Sequence, residues 1–224
     1  MNPLGHDFSD VAERLSQLDA TRLGGTRATG WLRSRAAFFR ELWDEPRSVG
    51  AVCPSSGELG RRMARWADPA PEGWIVELGG GTGTVTQALL QRGVPRERLI
   101  VIERSQQFVH HLRNRFHGVR IFHADAADIA RAPLNGRPIT AIVSGLPLRS
   151  LPADAVSRVV QACAGVLHPH SRVVQFTYAP RASSAWNDAG LHRIANEAVW
   201  RNLPPAWIEV FAPASNPGLA IARA

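Results

Sequence analysis

A short apolar run that ends in an acid and passes into closely spaced glycines, IVELGGGTGTVT over residues 75–86, limits most strongly what this chain can fold into. The run WIVEL (74–78) is uninterrupted and closed by glycine, which reads as a strand buried on both faces. TVTQALLQRG (84–93) reads as a helix with Gly93 as its stop. Glycine presents no Cβ and tolerates positive φ, so Gly79, Gly80, Gly81 and Gly83 let the backbone pass close to a ligand beyond the strand's carboxyl end. Tight strand-to-helix turns also use glycine for packing alone, and the surrounding pattern has to decide between the two.

That pattern is an alternation. LIVIE (99–103), VRIFHAD (119–125), ITAIVS (139–144) and RVVQFTY (172–178) read as further strands. SQQFVHHLRNRF (105–116), with Ser105 as its N-cap, and residues 152–167, with Pro152 near the first turn, read as helices between them. Two strand candidates within 193–213 flank Pro204-Pro205 with no helix between them, which predicts an antiparallel hairpin at one edge. Strands and helices alternating over about 100 residues predict a doubly wound, mostly parallel α/β sheet. At 224 residues and 45% hydrophobic the chain is long and apolar enough for one domain with a sizeable core plus an appendage, and intrinsic disorder is excluded.

The acids and basic residues narrow the chemistry. Glu77, Glu103 and Asp125 stand at the ends of three successive strands, and Glu103 follows Gly83 by the interval at which an acid accepts both ribose hydroxyls of an adenosine. The dinucleotide pattern G-x-G-x-x-G is only half met, because Thr84 occupies the third glycine's place; E-x-G-x-G-x-G suits a ligand without a pyrophosphate. Two cysteines, Cys53 and Cys163, exclude a disulfide framework and a Cys-rich zinc site. His110 and His111 are adjacent and His168 and His170 flank Pro169, so neither pair has the spacing of a helical zinc motif, and no metal is expected. The 26 basic residues are all arginine and the net charge is +7, which suits phosphate-bearing partners such as nucleic acid or an anionic membrane. No apolar stretch reaches the about 18 residues of a membrane span, and the first residues lack a secretory pattern. The expectation is a cytoplasmic protein, soluble or peripheral to a membrane.

On the glycine loop and the strand-end acids, residues 55–213 resemble the class I S-adenosylmethionine-dependent methyltransferases. The resemblance implies S-adenosyl-L-methionine as cofactor and a Rossmann-like, seven-stranded sheet whose last strand is antiparallel. It implies that Glu77, Gly79, Gly80, Gly81, Thr82 and Gly83 surround the methionine part, that Glu103 holds the ribose, that Asp125 with Ala126 lies at the adenine, and that Arg104 and Ser144 join the cofactor site. Three segments, FFRELWDEPRSVGAVCPSS (38–56), VSGLPLRSLP (143–152) and VVQFTYAP (173–180), resemble the small soluble-type bacterial phospholipid N-methyltransferases. This implies stepwise N-methylation of phosphatidylethanolamine toward phosphatidylcholine at an anionic membrane surface, with peripheral attachment to the inner face of the cell membrane. RNA adenine methyltransferases share the loop, but Ser144-Gly145-Leu146-Pro147-Leu148 lacks the amide and the aromatic platform that an extruded base needs. RNA methylation and a catalytically silent binding module remain the alternatives.

Acceptor-side expectations fall on Gly145, Leu146 and Pro147, on Ser55 and Ser56, and on Trp43. Ser55 and Ser56 either donate to a lipid phosphate or the cofactor carboxylate, or cap the helix 57–67; Trp43 would face the quaternary ammonium through a cation–π contact. Tyr178, the only tyrosine, either bonds the acceptor amine and relays its proton to water or is a buried structural residue. The chain divides into a helical arm, 1–54, and the methyltransferase domain, 55–224. In the arm, residues 31–43 set Trp31, Leu32, Phe38, Phe39, Leu42 and Trp43 at helical offsets among Arg33, Arg35 and Arg40. Such a helix lies in a membrane interface or packs on the sheet as a lid.

Overall fold

The structure is a computed structural model and describes residues 57–67, 72–179, 183–202 and 205–214. The helical arm, with Trp43, Ser55 and Ser56, lies outside the described residues. Helix α1 (Gly57–Trp66) is followed by β1 (Trp74–Leu78), α2 (Thr84–Gln91), β2 (Leu99–Glu103), α3 (Gln106–Arg115), β3 (Arg120–His123) and β4 (Ile139–Ser144). Then come α4 (Ala153–Ala164), β5 (Leu167–Thr177), α5 (Ala185–Asp188), β6 (Leu191–Val199) and β7 (Ala206–Pro213).

The strands form one seven-stranded sheet in the order β3-β2-β1-β4-β5-β7-β6. β1 to β5 run parallel, and β7 is antiparallel to both β5 and β6, so the predicted edge hairpin is present. Every residue of β1 and β2 is buried, as apolar runs without alternation require. Ile75 and Val101 point to the layer holding Leu59 and Met63 of α1, Leu89 of α2 and Leu112 of α3. Val76 and Ile100 point to the opposite layer with Val160 and Cys163 of α4 and Trp186 of α5. The helices therefore cover both faces, as right-handed crossovers between parallel strands demand. Leu112 is fully buried, and truncating such a side chain to alanine costs about 2–5 kcal/mol. At the hairpin edge Glu197 of β6 accepts from Arg62 Nη1 at 2.6 Å and from Trp66 Nε1 at 3.0 Å, which ties α1 to the last strands.

Several boundaries differ from the sequence reading, and β6 begins at Leu191 rather than Arg193. β3 covers only Arg120–His123, and Asp125 caps a short 3-10 turn, its Oδ1 accepting from Ala127 N at 2.9 Å. The helix expected over 152–167 is Ala153–Ala164 with Pro152 in the cap position. β5 begins at Leu167 rather than Arg172, across a register shift against β4. Fully buried Ser171 holds that irregular start, accepting from His168 N at 2.8 Å and donating to Ile139 O at 2.6 Å. The four residues of α5 were not anticipated as a helix.

Candidate active site

The carboxyl ends of β1, β2, β3 and β4 meet at one edge of the sheet. Gly79 leaves β1 with φ +73°, donates its N–H to Ile102 O at 2.8 Å, and comes so close to β4 that a Cβ on it would lie 2.6 Å from Leu146 Cδ2. A Cβ on Gly145 would lie 2.8 Å from Gly79 O. The two strand tips thus need glycine on each side of the contact. Gly80 and Gly83 serve another purpose: a Cβ on Gly80 would lie 2.5 Å from Val101 Cγ1, and one on Gly83 would run into Phe116 after α3. Arg115 Nη1 donates to Thr82 O at 2.8 Å and holds the loop from outside.

Glu103, at the last position of β2, accepts from Gly81 N at 2.9 Å through Oε2 and from Ser105 N at 2.8 Å through Oε1. The glycine loop and the start of α3 are thereby fixed to one carboxylate, and each oxygen retains a lone pair for a further donor. A cavity of about 240 Å³ opens beside it, bordered by Gly79, Ile102, Glu103, Arg104, Asp125, Ala126 and Leu146. Its opposite wall is Leu151 and the start of α4, where Ala155 and Val159 stand one turn apart, with Asp154 and Arg158 nearby. This wall was missed in the sequence, although the four-residue spacing was there to be read. Apolar walls with two carboxylates on one side fit a flat heterocycle carrying a ribose, and the cofactor expectation passes this geometric test.

The remaining predicted residues lie deeper or to one side. Glu77 is one residue short of the end of β1, fully buried, and turned under α2, where Oε2 accepts from Thr86 Oγ1 at 2.7 Å. Its Oε1 is buried with no hydrogen-bond partner, and burial, with a smaller push from the charge of Glu103, raises its carboxyl to about 8. Only Glu103 and Asp125 of the three strand-end acids border the cavity. Ser144 is fully buried, with Oγ 3.4 Å from Leu146 N, which donates to it. Tyr178 follows β5, stacks edge-on against Phe176 at 5.6 Å, and its hydroxyl accepts from Asn202 Nδ2 at 3.4 Å. Tyr178 and Pro147 border a second cavity instead of the first. Among the described residues, no group of three or more His, Cys, Asp or Glu side chains is arranged to hold a metal ion. No described helix is long and apolar enough to cross a membrane.

The sequence profile of the methyltransferase-domain family matches residues 75–170. Ornithine lipid N-methyltransferase of Singulisphaera acidiphila is 30% identical over 175 residues, covering 75% of this chain and 91% of that protein. Ribosomal RNA small subunit methyltransferase A of Nitrobacter winogradskyi is 37% identical over 117 residues, covering 50% of this chain and 40% of that protein. Among solved structures, magnesium protoporphyrin IX methyltransferase from Synechocystis PCC 6803, determined with bound S-adenosylmethionine, superposes over 87% of this chain and 100% of its own at a TM-score of 0.56 and 13% identity. The glycopeptide N-methyltransferase MtfA, complexed with S-adenosylhomocysteine, superposes over 69% of this chain and 86% of its own at a TM-score of 0.55 and 11% identity. The strand order, the glycine loop fixed to Glu103 and the relative matched over three quarters of the chain agree: the chain belongs to the class I S-adenosylmethionine-dependent methyltransferases.

Proposed function

We propose that the chain N-methylates the amine of a membrane aminolipid, with phosphatidylethanolamine as the acceptor and methylation proceeding stepwise toward phosphatidylcholine. The observation that carries this reading is the β4 tip. Gly145 is pressed against Gly79, and Leu146 is buried at 2% exposure with its carbonyl taken by Gln175 Nε2. The tip residues themselves, 144–148, bring no side-chain amide or aromatic ring to grip the edge and face of an extruded base. The ornithine lipid relative supports the same class of acceptor over nearly its whole length, whereas the ribosomal RNA relative matches over less than half of its own.

Bound S-adenosylmethionine supplies an electrophilic methyl group on a sulfonium. In this reading Glu103 receives the ribose hydroxyls, Asp125 and Ala126 flank the adenine, and Gly79 lets the methionine part pass over β1. Glu77, Gly80, Gly81, Thr82, Gly83 and Ser144 shape that turn from below, and Arg104 lines its outer lip. The chain's task is then to align the acceptor nitrogen with the methyl carbon in line with the departing sulfur. An ammonium has no lone pair to attack with, so its proton leaves first, and the Tyr178 hydroxyl is the hydrogen-bonding group assigned to pass it to water. Ser55, Ser56 and Trp43 are assigned to the acceptor side, and the basic arm to the inner face of the cell membrane.

A second reading, N6-methylation of adenine in RNA, draws on the net charge of +7 and the ribosomal RNA relatives. Incubation with methyl-labelled cofactor, phosphatidylglycerol vesicles containing phosphatidylethanolamine, and ribosomal RNA in the same tube separates the two. Label in the lipid fraction is expected; label in RNA alone would overturn the assignment.

A further inference from the structure

The second cavity, of about 330 Å³, lies across residues 146–150 from the first. Among the described residues, the connection after β5 holds the four-residue helix α5 and leaves part of the β5–β7 face uncovered. That face is polar. Gln175 and Glu209 are direct cross-strand partners on β5 and β7, both buried, and both border the cavity. Arg149 and Asp188 stand exposed at its rim, and Val156 and Leu148 give it apolar walls.

Gln175 fixes what the floor needs. Its Nε2 donates to Leu146 O at 3.0 Å and to Phe176 O at 2.9 Å, so the orientation of the amide is set. Oε1 is consequently turned away from both carbonyls and is buried without a donor. An amide oxygen left so costs about 1–3 kcal/mol, which a donor brought by a ligand would recover. Glu209, beside it, is a carboxylate ion-paired with Arg193 Nη1. A ligand that satisfies Gln175 carries an N–H donor, and an ammonium there would share the Glu209 carboxylate with Arg193. At the rim the Arg149 guanidinium presents positive charge, held there among its contacts by Thr177 Oγ1 at 3.2 Å and Ser183 O at 2.8 Å.

We propose that this cavity receives the zwitterionic headgroup of the acceptor, with its ammonium on Gln175 Oε1 and Glu209 and its anionic group on Arg149. The inference rests on the lipid reading above and names the part of the protein that selects the headgroup. Phosphatidylethanolamine offers a phosphate as the anion, and an ornithine-type lipid a carboxylate. A trimethylated nitrogen has no N–H left for Gln175 Oε1, so the floor holds the amine more tightly than the quaternary product and favours product release.

The test uses the full chain with phosphatidylglycerol vesicles containing either phosphatidylethanolamine or ornithine lipid, and, separately, soluble phosphoethanolamine and phosphocholine in calorimetry. Two variants are compared with the wild type: Val156→Phe, which fills the cavity from its wall, and Glu209→Gln, which removes the floor anion. Each is expected to raise the acceptor KM about tenfold or more, Val156→Phe by excluding the headgroup and Glu209→Gln by the loss of a charge-assisted contact, while S-adenosylhomocysteine affinity stays within about twofold, well under the 1.4 kcal/mol of a tenfold change. The vesicle that shows the shift identifies the anion. An unchanged acceptor KM in both variants, with cofactor binding intact, would overturn the proposal. If the wild type labels no lipid, the proposed function fails, and the calorimetry decides the cavity on its own. Phosphoethanolamine bound by the wild type, more weakly by Val156→Phe, and in preference to phosphocholine supports it. No binding, or equal binding by wild type and variant, overturns it.

Discussion

Replacing Glu103 by alanine is the perturbation whose size follows most directly from the structure. Each carboxylate oxygen already accepts one main-chain N–H, from Gly81 and Ser105, and the carboxylate borders the cavity of about 240 Å³. In the assignment above each oxygen also receives one ribose hydroxyl. A hydrogen bond to a charged group contributes about 1.5–3 kcal/mol, so two come to about 3–6 kcal/mol. At 1.4 kcal/mol per factor of ten, the Kd for S-adenosylhomocysteine rises by about 10²–10⁴. The loss of the two main-chain bonds also loosens the glycine loop and moves the result toward the upper end. Isothermal calorimetry on wild type and Glu103→Ala, with thermal unfolding as the control for folding, measures it. A folded variant whose Kd stays within about threefold, less than 0.7 kcal/mol, would refute the ribose role.

Glu77 links stability to pH: its buried carboxyl is raised from 4.5 to about 8, so the native state keeps a proton that the unfolded chain releases. Stability therefore falls as pH rises between those two values, with a slope of up to about 1.4 kcal/mol per pH unit, and denaturant titrations of wild type and Glu77→Gln should show the slope flattened in the variant. Thr86→Val removes the one hydroxyl that donates to Glu77 and should cost about 1–3 kcal/mol in the same titrations, with the larger loss above pH 8, where the carboxylate is charged. Gly79→Ala puts a Cβ at 2.6 Å from Leu146 in a backbone of φ +73° and should lower both unfolding free energy, by about 1–3 kcal/mol, and cofactor affinity. Replacing Arg33, Arg35 and Arg40 by alanine should weaken sedimentation with anionic vesicles by about 3 kcal/mol, at about 1 kcal/mol per arginine, without changing cofactor affinity; unchanged sedimentation would make the arm helix a lid.

The sheet and the cofactor side were legible because their signals are local. WIVEL and LIVIE are buried on both faces and carry no polar alternation to confuse the reading, and the glycines sit next to each other in sequence. Ser105 is the N-cap it was read to be, its Oγ accepting from Phe108 N at 3.5 Å. What was not legible depends on partners far apart in the chain. The start of β5 is exposed and contains Pro169, so neither propensity nor periodicity marks it; Ser171 reaching across to Ile139 makes it a strand. Glu77 looked like a rim acid because it ends an apolar run, but strand alternation turns it to the α2 face, where Thr86 meets it. The floor of the second cavity pairs residues 175 and 209, from strands whose adjacency only the sheet order reveals.

The central claim, methyl transfer to a lipid amine, meets its most direct test in the lipids of cells that make this protein. Mass spectrometry of extracts from a bacterium lacking methylated aminolipids is expected to show N-methylated phosphatidylethanolamine species with the wild-type chain and none with Glu103→Ala. A wild-type protein that binds S-adenosylhomocysteine in calorimetry yet leaves every aminolipid unmethylated would contradict it.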